Sequence, residues 1–451
     1  MSYPLPEAFV SRMRAQLGCS ADAYFAALEA PFQRGLRLNP RKPLPIQAQN
    51  AIDGLLEPIP WHAALGRYLS PESSAGSDPL HEAGAYYLQE PSAMAPVSVL
   101  APKPGERVLD LCAAPGGKST QIADALEGKG LLVCNEPVPS RAKILSRNIE
   151  RRGVCNALVV SAAPETLAPL WARAFDAVLV DAPCSGEGMF RRHPETRAEW
   201  TEQSPAGCAA RQGRILACAA RMLRPGGRLV YSTCTLNDEE NERVIAALLA
   251  ADAQLHAIPF SLPAGGGRVL NAPEGMLHLY PHELRGEGHF VAMLGKRGQP
   301  EAGAPFAPAA SRLAPPDKPL LAAYNEFAKP FQPACLPQAN AQLGAFLISC
   351  PELPPLTGIK ALRAGVQLGA FKGKVFAPDH ALAMALPLPL ALPALQLTHE
   401  QALLYQRGEA LSAPDALTGY ALATYQGLPL GFGKASGGQF KNHYPKGLRR
   451  P

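Results

Sequence analysis

The sequence predicts an α/β fold: a doubly wound, mostly parallel sheet flanked by smaller units at both ends. Three observations carry that reading. From about residue 80 to 297, short apolar runs (VLDL, LLVCNE, ALVV, FDAVLVDAP, GRLVYSTCT) alternate with helical segments (STQIADALEGKG, SRAKILSRNIERRG, ARQGRILACAARML). Such alternation implies right-handed crossovers onto a parallel sheet. Glycine ends several of the helical segments, as a helix C-cap should. Outside this span the pattern changes, to amphipathic helices before it and short strand-like runs after it.

In chain order, residues 1–75 read as an N-terminal helical region (FVSRMRAQL, AYFAALEA) with the basic turn RGLRLNPRK, closed by the polar stretch SPESSAGSDP. Residues 76–298 hold the alternating α/β domain, with GHFVAML as a further strand that could close one edge of the sheet. Residues 299–320, rich in Pro, Ala and Gly, read as a linker. Residues 321–390 then suggest a small α+β domain, and 391–451 a compact β-rich one. At 451 residues and 47% apolar composition the chain can bury several cores. It contains no apolar run of membrane-spanning length, and its first residues lack the uninterrupted apolar core of a signal peptide. A cytoplasmic monomer is expected.

The first strand-to-helix turn is VLDLCAAPGGKST. A phosphate-binding loop needs a glycine five positions before its Gly-Lys pair, where this chain has Cys112, and Pro115 removes an amide donor. The GxGxxG pattern of dinucleotide binders is also absent. A less charged adenosine ligand remains. Ligands of doubly wound sheets sit beyond the carboxyl ends of the strands. Three carboxylates are expected there: Asp110 in the turn, Glu136 at the end of the second strand, and Asp181 at the end of the fourth. Glu136 falls nineteen residues after Gly117, where an acid can accept from both ribose hydroxyls. Glycines for close approach, and acids for hydroxyls and a positive centre, fit S-adenosylmethionine.

Two cysteines end adjacent strands, Cys184 in DAPCSGEG and Cys234 in YSTCTLNDEEN. Alone, each would be a small buried apolar residue. Together beside a methyl donor they suggest covalent activation of an electron-poor ring such as cytosine. A thiolate adds at carbon 6, carbon 5 attacks the sulfonium methyl, and loss of the carbon 5 proton expels the enzyme. The base must leave its stack to be reached. Asp181 is the candidate acid toward cytosine N3, provided burial or the bound base raises its pKa. Spacing alone leaves open which cysteine attacks.

DLCAAPGGKST, DAPCSGEG and YSTCT together resemble the RNA cytosine-5 methyltransferases of the Nop2/Sun type. The resemblance extends to RLNPRK, YYLQEPSAMAPV, RRHPETRAEW, LYPHELRGEGHFVAML and the C-terminal stretch from GYALATY onward, so it covers most of the chain. It implies a Rossmann-like class I methyltransferase core, an RNA-binding N-terminal unit and a PUA-like RNA-binding domain over 391–451. It assigns Cys234 as nucleophile and Cys184 to release of the adduct. As cofactor contacts it implies Cys112, Ala113, Ala114, Pro115, Gly116, Gly117, Lys118, Glu136, Arg141 and Asp181. Its C-terminal part implies ribosomal RNA or the small ribosomal subunit as partner, with tRNA as the alternative substrate. One position departs: after the third strand the family often has an aspartate near adenine, whereas this chain reads Val160-Ser161-Ala162-Ala163-Pro164.

The formal charge of +5 equals the excess in the last residues, GFGKASGGQFKNHYPKGLRRP, which hold five cations and no acid. A basic end interleaved with Phe440 and Tyr444 suits a nucleic-acid backbone. Lys434 and Lys441 there, Arg191, Arg192 and His193 beside the Cys184 loop, and Arg37 in RLNP are the candidate RNA contacts. No metal site is expected, since the ten cysteines include no CxxC pair and HLYPH lacks the glutamate of HExxH. A non-catalytic RNA-binding assembly factor would have lost a paired cysteine or Asp181. An adenine or glutamine methyltransferase would carry Asn/Asp-Pro-Pro-Tyr/Phe where DAPC stands.

Overall fold

The computed structural model describes residues 3–45, 55–299, 313–331, 336–390 and 392–450. Strands β1 (Arg34–Leu38), β2 (Leu55–Pro58), β3 (Gly66–Leu69) and β4 (Tyr86–Leu88) form an antiparallel sheet in the order β2-β3-β1-β4. Among the described residues the α-helices of the N-terminal region are Glu7–Leu17 and Ala21–Glu29, and its sheet extends past residue 75. The helical reading stopped short because strands of three to five residues carry too little pattern to register.

The central sheet uses β5 (Arg107–Asp110), β6 (Leu131–Asn135), β7 (Ala157–Ser161), β8 (Phe175–Asp181), β9 (Leu223–Thr233) and β10 (Leu255–Ala257). After the hairpin β11 (Phe260–Gly265) and β12 (Arg268–Ala272) come β13 (Met276–Leu279) and β14 (His289–Lys296). Pairing is parallel from β9 through β8, β5 and β6 to β7. The GHFVAML strand lies antiparallel beside β9, and β10 and β13 flank it further out. The other edge comes from far along the chain. Of the strands β15 (Ala341–Leu343), β16 (Phe346–Ser349), β17 (Lys360–Ala364), β18 (Val366–Lys372) and β19 (Val375–Pro378), β17 pairs antiparallel with β7. The remaining four form their own sheet, so the small α+β unit is sewn into the central sheet by one strand.

The inner strands are buried on both faces, which is why they read as unbroken apolar runs. Leu109, Val133, Leu158 and Val178 face one layer, with Trp171, Leu216 and Ile245. Val108, Leu132, Val159 and Leu179 face the other, with Ile122, Leu145 and Ile149. Successive strand residues point to opposite faces, so each run builds two cores. The chain leaves β5 toward β6 and β7, then returns through β8 to the other side of β5. A crevice opens at this reversal, between the carboxyl ends of β5 and β8.

Part of the expected linker, 300–312, lies outside the described residues, and from Lys318 to Ala328 the chain is helical. The C-terminal unit is the sheet β20 (Ala394–Leu397), β21 (Leu411–Ser412), β22 (Gly419–Tyr425), β23 (Leu428–Ser436) and β24 (Gln439–Asn442), ordered β20-β22-β23-β24-β21. Its core merges with the N-terminal sheet through Leu36, Tyr86, Tyr405 and Leu430. Phe440 and Tyr444 are buried in that core, which corrects the expectation that they serve RNA. Burying an aromatic ring stabilises by roughly 1.5–3 kcal/mol, which either ring would forfeit by leaving. No described helix is long and apolar enough to cross a membrane.

Candidate active site

The glycine turn after β5 is held from two sides. Gly116 has φ 114°, a left-handed conformation that L side chains rarely adopt, and a Cβ there would meet Leu145 Cδ1 at 3.2 Å. From the helix Pro139–Arg151, Arg141 Nη2 donates to the Ala114 carbonyl (3.2 Å) and Asn148 Nδ2 to that of Pro115 (2.7 Å). Arg141 also pairs with the buried Glu136 carboxylate at 3.3 Å. A cavity of about 530 Å³ opens above, lined by Cys112, Ala114, Glu136, Arg141, Asp181, Cys184 and Cys234. Pro137, Val138, Pro164 and Glu165 complete its far end. A second cavity of about 380 Å³ shares Cys112, Ala114 and Asp181 with it, and takes in Asp110, Ala113, Pro115, Gly117, Lys118, Arg192 and His193.

The expected cofactor turn, Glu136, Asp181 and both cysteines thus converge on one crevice. The cysteine sulfurs lie 3.3 Å apart. Their loops are locked by buried carboxylates. Glu240 accepts from Ser185 N (3.0 Å), Gln212 Nε2 (2.9 Å) and Asn237 Nδ2 (2.8 Å). Glu187 accepts from Trp200 Nε1 and Asn237 Nδ2, both at 3.2 Å, and pairs with Arg12 at 2.7 Å. Gly188 N donates to the Cys234 carbonyl at 2.9 Å, tying one loop to the other. The first two helices pack over this assembly through Phe9, Met13, Tyr24 and Leu28 against Phe190, Trp200 and Leu236. The hydrogen bond shared with Cys234, and then burial, push the Cys184 thiol well up, so Cys184 keeps its proton.

Asp181 departs from expectation. Burial pushes its carboxyl up, but Lys118, His289 and the hydrogen bonds from Lys118 and Ser232 outweigh burial and hold it below the ordinary aspartate value. Lys118 Nζ lies 2.7 Å from one carboxylate oxygen, and Ser232 Oγ donates to the other at 2.7 Å. Asp181 is therefore an anion here, and burial alone does not make it an acid. The acid the surroundings do favour is Asp110: burial pushes it up to about 7 against a hydrogen bond from Ser119 Oγ (2.6 Å).

Two of the expected RNA contacts are also corrected. Arg37 is 0% exposed; its Nε is 3.0 Å from Asp124 Oδ2, and it donates to Gln89, to the Gly117 carbonyl and to Thr120 Oγ1. Arg152 shares the same Asp124 oxygen at 2.5 Å. Arg191 is buried against Glu287 (2.9 Å) and donates to the carbonyls of Gly286 and Ala27. Neither guanidinium can reach a phosphate without giving up a buried ion pair. Arg192 and His193 do border the second cavity, and Lys434 and Lys441 are exposed.

Several lining residues carry no signal in the sequence. Tyr87, Gln89 and Glu90 form one wall of the second cavity, although YYLQEPSAM drew attention only as a resemblance. Glu165, in the first turn of the helix Pro164–Leu170, puts a carboxylate beside Pro164 in the cavity lining, whereas Ser161 Oγ donates to the Pro137 carbonyl (3.3 Å). His289 was also missed. Its Nδ1 is 3.0 Å from Ser92 Oγ, which donates to Glu90 Oε2 at 2.5 Å. Burial, then Lys118, push it down to about 4, so the ring beside Asp181 is neutral. Among the described residues no three His, Cys, Asp or Glu side chains group to hold a metal.

A cavity at the switch point of such a sheet, floored by a glycine turn and walled by a carboxylate at the ribose position and an apolar slot beyond it, fits S-adenosylmethionine. Fold and site together define a methyltransferase that uses this cofactor. Models of known families match in series along the chain: the N-terminal domain of 16S rRNA methyltransferase RsmF over 5–91, 16S rRNA methyltransferase RsmB/F over 97–295, the RsmF first C-terminal domain over 326–386, and the RsmF PUA domain over 393–450. The chain is 35% identical to the ribosomal RNA small subunit methyltransferase F of Klebsiella pneumoniae (strain 342), over 99% of this chain and 96% of that protein. The namesake of Escherichia coli O127:H6 is 34% identical with the same coverage. This protein belongs to the RsmF family of 16S rRNA methyltransferases. Among solved structures, a methyltransferase homologue from Pyrococcus horikoshii matches with a TM-score of 0.55 and 30% identity, over 64% of this chain and 95% of that one. NSun6 from Pyrococcus horikoshii, solved with SFG, matches with a TM-score of 0.55 at 22% identity, over 65% and 99%, which speaks for the fold.

Proposed function

We propose that this protein methylates carbon 5 of cytosine in 16S ribosomal RNA through a covalent adduct with Cys234. The observation that carries the chemistry is the pair of cysteine sulfurs 3.3 Å apart on one cavity with Asp181. S-adenosylmethionine, when bound, supplies the electrophilic methyl group. Glu136 takes the ribose hydroxyls, the slot of Pro137, Val138 and Pro164 takes the adenine with Glu165 at its edge, and the turn Cys112–Lys118 supports the amino-acid end. The flipped cytosine enters through the second cavity and sets its ring at the shared wall of Cys112, Ala114 and Asp181, where Cys184 and Cys234 of the first cavity and the methyl donor meet it.

Cys234 adds as a thiolate to carbon 6, and the electron pair moves onto carbon 5. Asp181, a carboxylate, orients the ring by accepting from the exocyclic amine. The Lys118 ammonium stabilises the charge that develops toward N3. With the methyl group on carbon 5, the carbon 5 proton must go to a base, and the carbon–sulfur bond to Cys234 then breaks. In the adduct Cys234 is a thioether, so the hydrogen bond and charge that hold the proton on Cys184 are gone. Cys184 releases that proton to water and, as a thiolate, takes the proton from carbon 5. The 1–91 and 391–451 units hold the RNA beyond the target.

Incubation with labelled S-adenosylmethionine and small-subunit RNA tests the proposal. The label should appear on cytosine carbon 5. Cys234→Ala should abolish turnover, and Cys184→Ala should accumulate a protein–RNA adduct resistant to denaturing gels. Label on tRNA alone would overturn the substrate, and an adduct formed by Cys234→Ala would reverse the two roles.

A further inference from the structure

Neighbouring arginines in the Cys184 loop have opposite fates. Arg191 turns inward to Glu287 and donates from Nη1 to the Ala27 carbonyl (3.1 Å) near the end of the second helix. That bond pins the start of the Ala30–Gln33 connection against the catalytic loop. Arg192 turns the other way. It borders the second cavity, makes no ion pair among the described residues, and its guanidinium carbon stands 5.5 Å from the centroid of the Phe32 ring. Phe32 is 38% exposed, one of the few large apolar side chains left open to solvent. Most of the aromatic side chains around the crevice are buried, including Tyr87, Phe190 and Trp200.

We infer that Phe32 and Arg192 form a stacking ledge for the nucleobase next to the target cytosine. A base drawn out of its stack leaves its neighbour with an uncovered face. A guanidinium plane bordering the cavity, and the exposed ring it lies over, replace that face for any base, with a purine favoured by its larger area. The charge on Arg192 also meets the phosphate between the two nucleotides. Neither group touches the reacting atoms, so the ledge acts on RNA binding and on holding the flipped geometry. The inference rests on the RNA-methyltransferase reading above but is tested without methyl transfer.

The probe is a short single-stranded RNA with one cytosine flanked on both sides by 2-aminopurine, whose fluorescence reports stacking. Binding to the unaltered full-length protein should change that fluorescence. Phe32→Tyr should keep the signal and Phe32→Leu should lose it, because leucine fills the space without a π-face. Phe32→Leu should also raise the KM for small-subunit RNA about ten-fold, with kcat and the KM for S-adenosylmethionine near normal. Arg192→Lys, which keeps charge but not the plane, should fall between. Equal signals from unaltered protein, Phe32→Tyr and Phe32→Leu, or no signal from any, would overturn the ledge. Failure to label cytosine would overturn the reaction instead, and the fluorescence result would stand.

Discussion

Two clusters of basic residues, alike as sequence, differ in what surrounds them. Around the cofactor turn, Arg37 and Arg152 share the carboxylate of Asp124 and are buried. On the C-terminal sheet, Lys434 of β23 stands directly opposite Lys441 of β24, both exposed, with Lys372 close enough to influence the same His443. The first cluster joins the N-terminal sheet to the helix Gly117–Ala125 that opens at the glycine turn. The second places like charges across a strand pair, which costs stability and is relieved by an anion. A cation's role is set by whether the fold brings it a carboxylate. RLNPRK and GKASGGQFKN do not reveal that.

Breaking the buried cluster should have the largest effect. Arg37→Ala leaves Asp124 short of a partner and is expected to cost about 3–5 kcal/mol in urea unfolding. If it instead left stability intact and weakened RNA binding, the two clusters would have to be exchanged.

The buried acid in the turn sharpens the contrast next. The folded value of Asp110, about 7, lies above its ordinary 3.8. Its contribution is fully present below about 4 and is lost as pH rises through 7. Asp110→Asn should remove this slope, which is on the order of 4 kcal/mol between those limits. Unfolding midpoints measured across that range check it. An unchanged slope in the variant would place the titrating group elsewhere.

The exposed pair should give the smallest change in stability. Lys434→Gln with Lys441→Gln should leave the unfolding midpoint within about 0.5 kcal/mol of the parent, on the favourable side. RNA affinity should fall, and the slope of log affinity against log salt should shrink by roughly 0.7 per lysine. Unchanged RNA binding in the double variant would remove this sheet from the interface.

The doubly wound sheet was legible because β5–β8 are buried on both faces and read as apolar runs broken by helical periods. The cysteine pair was legible because the chemistry of each strand end is local to it. The four-stranded N-terminal sheet was not, since its strands are short and pair across tens of residues. β17 was hidden for the same reason: it completes the sheet beside β7 from about two hundred residues away. His289 read as one position in an edge strand until β14 brought it beside Asp181.

The sequence by itself determined the strand and helix order, the glycine turn, the carboxylates that follow β5, β6 and β8, and two thiols on adjacent strand tips. These follow from periodicity and from the constant position of strand ends in such sheets. Only the tertiary structure decided charge and access: that Asp181 is an anion, that Arg37 and Arg191 are internal ties, and that Phe440 belongs to a core while Phe32 faces solvent. Ionisation and exposure depend on which groups lie within a few ångströms, and residues remote in sequence supply most of those neighbours.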